Sequence, residues 1–195
     1  VKRKGRPMEW TLNAVREDID ARLGKAVNDR HCPMHTPAVA TDADARIMVL
    51  REWDADARTL RFHTDARAPK GDAIGNGAPV GVLFYDKEAG VQLRCRGTGR
   101  IVTEGKAVDA AWNDADTYAR RCYLGEAPGT AASGPASGLP DWVEGKRPTE
   151  AELVPARANF ALLLVTLDEI DWYCLSHDGH RRAIFTGGKG RWVTP

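Results

Sequence analysis

Arg46-Ile47-Met48-Val49-Leu50-Arg51 is the stretch on which the reading of this chain turns. Four apolar residues between two arginines make a strand with a cation at each end. Beyond it, Leu60-Arg61-Phe62-His63-Thr64-Asp65 is a second strand-like run that ends in His-Thr, and Lys70 opens a short helix. Gln92 follows in Val91-Gln92-Leu93-Arg94. In this order the pieces suit a phosphorylated aromatic ligand. Cations can hold a phosphate, while exposed backbone edges and one side-chain amide can read a polar ring.

Outward from that core, Asp54-Ala55-Asp56-Ala57 is turn-like and pairs the strands Ala45–Trp53 and Thr59–Thr64 as a hairpin. Further strands are expected at Pro37–Thr41, Pro79–Tyr85, Val91–Thr103, Asn159–Leu167, Glu169–Ser176, Arg182–Thr186 and Arg191–Val193. Gly187-Gly188-Lys189-Gly190 makes a hairpin of the last two. Leu12, Val15, Ile19, Leu23 and Ala26 recur at three- and four-residue steps, which predicts an amphipathic helix from about Glu9 to Asn28. Pro69–Asn76 makes a short helix with Pro at its start and Gly77 just past its end. Lys106–Tyr123 reads as a second long helix, with Val108, Ala111, Trp112, Ala115 and Ala119 on one side. Residues 125–148, rich in Gly and Pro, read as a flexible loop or lid. Sequential strands with helices at the start and middle give an α+β class, mainly β, with an antiparallel barrel-like sheet in one domain spanning residues 1–195.

Composition narrows the partners. With 195 residues, 43% of them hydrophobic, the chain can bury one sizeable core. A net charge of +1 gives no bulk attraction to nucleic acid or to a membrane surface. The longest apolar run, Phe160–Val165, is strand-sized and far short of the roughly 20 residues of a spanning helix. Cys32, Cys95, Cys122 and Cys174 are widely spaced, without a CxxC pair, so reduced thiols in a cytoplasmic protein are expected. The start, Val1-Lys2-Arg3-Lys4, is basic without a signal-like apolar segment, and the missing initiator Met is expected of a trimmed or partial N-terminus. His31-Cys32-Pro33-Met34-His35 invites a metal or haem reading; without a second ligand pair it is read as a loop, and no metal is expected.

Three separated blocks resemble the FMN-binding split-barrel family typified by pyridoxamine 5'-phosphate oxidase, from about Pro37 to Pro195. Arg46-Ile47-Met48-Val49-Leu50-Arg51 resembles the family's Arg-x-Val-Leu-Leu-Lys strand. The resemblance implies that Arg46 grips the FMN phosphate, that Ile47, Met48 and Val49 run beside the ring, and that Arg51 stands where lysine is usual. Phe62-His63-Thr64-Asp65 onward to Lys70 resembles Phe-Tyr-Thr-Asn followed by Ser-Arg-Lys. His63 replaces the tyrosine, Thr64 is retained, Lys70 aligns with the phosphate lysine, and Pro69 displaces an arginine whose charge Arg67 must supply. Gln92, within the same reach, matches the family's Arg-Gln-Val, and its amide can donate and accept at a flavin edge. The third block is Ile170-Asp171-Trp172-Tyr173, Arg182-Ala183-Ile184-Phe185 and the ending Arg191-Trp192-Val193-Thr194-Pro195. Tyr173 aligns with the aromatic beside the flavin, with Trp172 able to exchange roles with it, and Arg182 aligns with the arginine near the ring. The resemblance further implies a six-stranded antiparallel split β-barrel, an FMN cofactor, and a homodimer with FMN at the subunit interface and the late residues serving the partner's site.

The same comparison exposes departures. The family's substrate-phosphate Tyr, Arg and Ser fall where this chain has Trp112-Asn113-Asp114-Ala115-Asp116, and its Arg-x-His is missing from Ser176-His177-Asp178-Gly179-His180. Carboxylates there would repel a phosphate. The expected activity is therefore FMN-dependent hydride transfer to or from a small organic substrate other than pyridoxamine phosphate, with His63 or His177 available for proton transfer. A flavin- or haem-binding sensor or carrier is the alternative. Cys122, beside Arg121, is a candidate for a lowered thiol pKa.

Overall fold

The computed structural model of the chain describes residues 10–195. The basic start, and Glu9 as the beginning of the first helix, lie outside the described residues. Helix α1 (Leu12–Asn28) is capped by Thr11, whose Oγ1 accepts from Ala14 N at 3.1 Å. Nine strands follow: β1 (Ala38–Thr41), β2 (Asp44–Ile47), β3 (Leu50–Asp54), β4 (Thr59–Asp65), β5 (Ala78–Asp86), β6 (Val91–Val102), β7 (Phe160–Cys174), β8 (Arg181–Thr186) and β9 (Lys189–Val193). Helix α2 (Pro69–Ile74) separates β4 from β5, and α3 (Lys106–Asp114), α4 (Thr117–Arg120) and α5 (Glu150–Leu153) lie between β6 and β7.

All pairings are antiparallel, in the order β2-β1-β5-β6-β7-β4-β3, with β8 and β9 branching from β7. The two ends of that path, β2 and β3, are consecutive in sequence. Only Met48 and Val49 separate them, so Ile47 and Leu50 lie at most about 11 Å apart. The sheet therefore curls until its two edges meet at this dipeptide without pairing, which makes it a split barrel. The expected single strand Ala45–Trp53 is thus two. Met48 donates its N–H to Pro37 O at 3.1 Å, and the chain leaves β1 to join β4. The break is hidden in the sequence because Met48 and Leu50 both still point inward.

The six-stranded expectation is corrected to nine strands among the described residues. A second correction runs the other way: the strands expected at Asn159–Leu167 and Glu169–Ser176 are one 15-residue strand, β7. Arg96 pairs with Glu169 but Gly97 with Leu167, so Asp168 bulges out of the ladder. One extra residue swaps the faces of everything beyond it. Leu162 and Leu164 face the α3 side before the bulge, whereas Glu169, Asp171 and Tyr173 share the outward face with Arg96, Arg94 and Gln92 after it. A Cβ on Gly97 would lie 2.1 Å from Thr166 O, so only glycine admits this approach.

Val15, Ile19, Leu23 and Ala26 of α1 bury against the barrel interior with Phe62, Phe84, Leu93 and Trp172. Trp172 is fully buried and donates Nε1–H to Asp18 at 3.1 Å. It therefore cannot exchange roles with its outward neighbour Tyr173. A smaller cluster packs Val108, Ala111, Trp112 and Tyr123 on Phe160 and Leu162. The expected long helix Lys106–Tyr123 is broken into α3, α4 and a 3-10 turn. Ala115 is extended, and Asp116 turns its carboxylate onto Tyr118 N at 2.8 Å, starting a new helix where the old one would have continued.

Candidate functional site

The split between β2 and β3 opens into a cavity of ≈ 650 Å³. Its barrel wall carries Arg46, Ile47, Met48, Val49 and Arg51 from the split, His63 and Thr64 from β4, and Lys70 from α2. Eight of the twelve sequence-derived site residues thus converge on one space. Its facing wall comes from α3, α4 and the turn after them: Ala111, Ala115, Ala119, Arg120, Cys122 and Tyr123, with Asp114 and Asp116.

Charge on the barrel wall is incompletely matched. Arg46 pairs with exposed Asp44, yet its Nη1 is buried without a partner. Lys70 is pushed below its usual pKa, chiefly by burial and then by Arg46. Arg51 and Lys70 make no ion pair among the described residues. Cations crowded together with a donor left over form a seat for an anion. Thr64 is buried, with its hydroxyl donating only a long 3.4 Å bond to Asp65 O, so its oxygen remains available to a ligand. The FMN phosphate fits this wall, which would hold it through Arg46, Lys70 and Thr64.

His63 is held neutral, its pKa pulled down to about 4 by burial first and then by Arg51 and Arg61. Its ring sits edge-on to Phe160 at 4.9 Å, and Nε2 is buried without a partner. Neutral imidazole beside two guanidiniums can hydrogen-bond a ligand but does not take up a second proton at neutral pH. The Cys122 thiol is raised, mainly by burial, which corrects the expectation of a lowered value beside Arg121. Burial likewise pushes the Tyr123 phenol up.

Four expected residues lie elsewhere. Arg67 is bound to Asp65 through Nε at 3.0 Å and Nη2 at 2.7 Å, and it lines a second hollow under residues 124–144. It does not supply the charge expected of it beside Lys70. Gln92, Tyr173 and Arg182 stand in one cross-strand row on the outer face of β6, β7 and β8, not in the cavity. Tyr173 and Arg182, expected to serve a partner's site, stand on this outward face, and Gln92, expected alongside Lys70, is relocated there with them. Arg182 donates to Asp171 through Nε at 3.0 Å and Nη2 at 2.9 Å, and Arg94 Nη2 reaches the same carboxylate at 2.6 Å.

The helical wall was legible only in part. Asp114 and Asp116 line the cavity as expected, but Trp112 is buried behind it, under Arg120 at 4.9 Å. Asp116 accepts two bonds from Arg147, at 2.8 and 2.6 Å. Arg120, 3% exposed, is tied to Glu150 at 2.5 Å. Arg121 stacks on Tyr118 at 3.6 Å instead of entering the cavity. Ala111, Ala115 and Ala119, four residues apart, were the signal that this face is open. A 3-10 turn over Pro33–His35, preceded by Cys32, buries Cys32 and Met34, and His35 Nδ1 lies 2.6 Å from Ala26 O.

A split antiparallel barrel with a cationic seat at its split is an arrangement that can hold a phosphorylated cofactor such as flavin mononucleotide. Residues 20–103 match the family model described as pyridoxamine 5'-phosphate oxidase, FMN-binding domain. A pyridoxine/pyridoxamine 5'-phosphate oxidase from Caulobacter vibrioides is 30% identical over 159 residues, covering 77% of this chain and 67% of that protein. The chain belongs to the pyridoxamine 5'-phosphate oxidase-like FMN-binding family. The fold agrees with a pyridoxamine 5'-phosphate oxidase-related FMN-binding protein from Nostoc punctiforme (TM-score 0.70, 20% identity, 92% of this chain and 96% of that one). It also agrees with PhzG from Burkholderia lata, solved with tetrahydrophenazine-1-carboxylic acid (TM-score 0.63, 17% identity, 92% and 91%). No helix among the described residues is long and apolar enough to cross a membrane.

Proposed function

We propose that this chain is a homodimeric, cytoplasmic FMN-dependent oxidoreductase acting on a small organic substrate, and a poor oxidase of pyridoxamine phosphate. The observation that carries the reading is the contrast between the cavity's two walls. Arg46, Arg51 and Lys70 leave cationic capacity for one phosphate, that of the cofactor. On the helical wall the one arginine, Arg120, is bound to Glu150 through Nη2 and keeps a buried Nε without a partner, while Asp114 has no ion-pair partner among the described residues. A second phosphate on that side would meet the Asp114 carboxylate with a single, already paired arginine to offset it. Like-charge juxtaposition of this kind costs several kcal/mol, and a loss of about 4 kcal/mol in transition-state binding is about a thousandfold in kcat/KM. The named activity of the Caulobacter relative is the standing alternative for the substrate.

Bound FMN supplies the hydride chemistry; the protein supplies position, charge and exclusion of water. Arg46 and Lys70 would anchor the phosphate, the split backbone at Ile47–Val49 would flank the ring, and Ala111, Ala115 and Ala119 leave room for a flat substrate. Gln92, Tyr173 and Arg182 would reach the cofactor from the other subunit. Leu83 and Tyr85, 43% and 44% exposed on the same outward face, give that contact its apolar surface.

A non-catalytic flavin carrier or sensor is the second reading. It is favoured by one observation: neither His63, Cys122 nor Tyr123 is poised to exchange a proton near neutral pH. The test is direct. Purified holoprotein bleached by NADH or NADPH and recoloured in air supports the oxidoreductase; a yellow protein inert to both reductants supports the carrier. Turnover of pyridoxamine phosphate with oxygen at ordinary oxidase rates would overturn the proposed substrate exclusion. A monomer in light scattering that binds FMN at full affinity would overturn the shared site.

A further inference from the structure

Asp171 stands on the outward face of the sheet, yet it is completely buried. Arg182 clamps it through two bonds at 3.0 and 2.9 Å, and Arg94 adds a third at 2.6 Å. The trio consists of two cations around one carboxylate, next to the Gln92–Tyr173–Arg182 row. A buried ion pair of this kind is weak evidence for stability, since desolvating the charges offsets much of their attraction. What two parallel bonds do provide is a fixed plane and a fixed charge: without them an arginine on an open sheet face samples many rotamers.

We propose that Asp171 is a positioning residue which, through Arg182, sets the orientation and the effective charge of the cation presented to the flavin ring, and thereby lowers the reduction potential of bound FMN. The inference rests on the proposed site, in which the outward face of one subunit meets the flavin held by the other. Reduction places negative charge on the pyrimidine edge of a flavin, so an uncompensated cation there favours the reduced form. Asp171 cancels part of that cation, and Arg94 restores part of it by sharing the carboxylate.

The two partners therefore pull in opposite directions, which gives the test its sign. In the full chain loaded with FMN, Asp171→Asn should favour reduced over oxidised cofactor about tenfold, an upward shift of about 30 mV for a two-electron couple. Arg94→Gln should shift the potential downward, and Asp171→Glu should stay near the parent value. Redox titration against a reference dye reads all three. Unmoved potentials in the Asn and Gln variants, or a Glu shift as large as the Asn shift, overturn the proposal. Should Asp171→Asn fail to fold, Arg94→Gln leaves the carboxylate in place and decides alone: a downward shift supports the proposal and no shift overturns it. A chain that binds no FMN in a fluorescence titration overturns the site beneath the proposal and the proposal with it. FMN bound normally with flat potentials overturns the positioning role only.

Discussion

Arg46 and Lys70 in the cavity are crowded together with a buried donor left unpartnered, whereas Arg94 and Arg182 on the outer face already share a buried carboxylate. Both regions carry the arginine-rich pattern of a flavin site, and from sequence they are alike. In the fold they differ in what completes them. In the cavity Arg51 and Lys70 have no ion-pair partner among the described residues and Arg46 has only the exposed Asp44, so they are suited to binding an anion. On the outer face Arg94 and Arg182 share the buried Asp171 before any ligand arrives, although Arg94 Nε, like Arg46 Nη1, is a buried donor without a partner. A charged residue is informative about ligands chiefly when its partner is missing.

The most severe way to break this comparison is at the point both regions share. Gly97→Ala would drive a Cβ into Thr166 O at the bulge that divides the faces of β7. Overpacking against backbone should cost about 3 kcal/mol or more, read as a lower urea midpoint, with FMN binding lost alongside. A Gly97→Ala chain of parental stability would show that the bulge can slip without consequence.

Acid sharpens the cavity side. The unfolded chain protonates His63 near pH 6.5, but the folded chain does so only near pH 4, because burial and then Arg51 and Arg61 oppose the charge. Protons therefore favour unfolding within that window, and stability should rise with pH from about 4 to 6.5, by at most about 3 kcal/mol. His63→Phe should flatten that part of the profile in urea titrations at several pH values. An unchanged slope would mean that His63 is not the group being titrated.

Arg46→Ala tests the incompletely matched cation itself. FMN affinity should fall by about 1.5–3 kcal/mol, the usual worth of a hydrogen bond to a charged group, while riboflavin affinity stays nearly constant. Equal losses for the two ligands in a fluorescence titration would show that the phosphate is not read by this residue. The smallest effect belongs to an exposed pair. Arg147→Gln should change stability by under about 1 kcal/mol, and by freeing Asp116 at the cavity wall it should weaken FMN binding only slightly. A large loss would mean that Arg147 pins the wall rather than merely neutralising it.

The strands were legible in the sequence because alternation survives folding: apart from the stretch that splits at Met48–Val49 and the two that merge across Asp168, each expected strand lies within a residue or two of an observed one. What was not legible were the two places where the pleat continues while its partners change. At Met48–Val49 the inward sequence Met48, Leu50 conceals an exchange of neighbours. At Asp168 a polar residue looks like a strand end but is a bulge. The barrel wall of the candidate site was readable from Arg46, Thr64 and Lys70 through a family pattern. The helical wall was readable only in Asp114 and Asp116, since Asn113-Asp114-Ala115-Asp116 passed for helix. Only the second N-cap at Asp116 turns Tyr123 and Ala119 toward the cavity. Ion pairing was the least legible feature, because Arg120 and Arg147 take Glu150 and Asp116, partners that no local spacing announces.

The meeting of β2 and β3 across a dipeptide also bears on how the chain resists self-association. A sheet whose ends close on each other offers few unpaired backbone groups to another chain. Among the described strands β2, β3 and β9 are each paired on one side only; β2 and β3 turn toward each other at the split, and β9 has only five residues with Lys189 and Arg191 along it. A short edge carrying two cations is a poor template for a neighbouring strand. Solubility during synthesis should therefore depend less on this edge than on the timing of β7, the longest strand, whose partners β4, β6 and β8 come from both sides of it in the sequence.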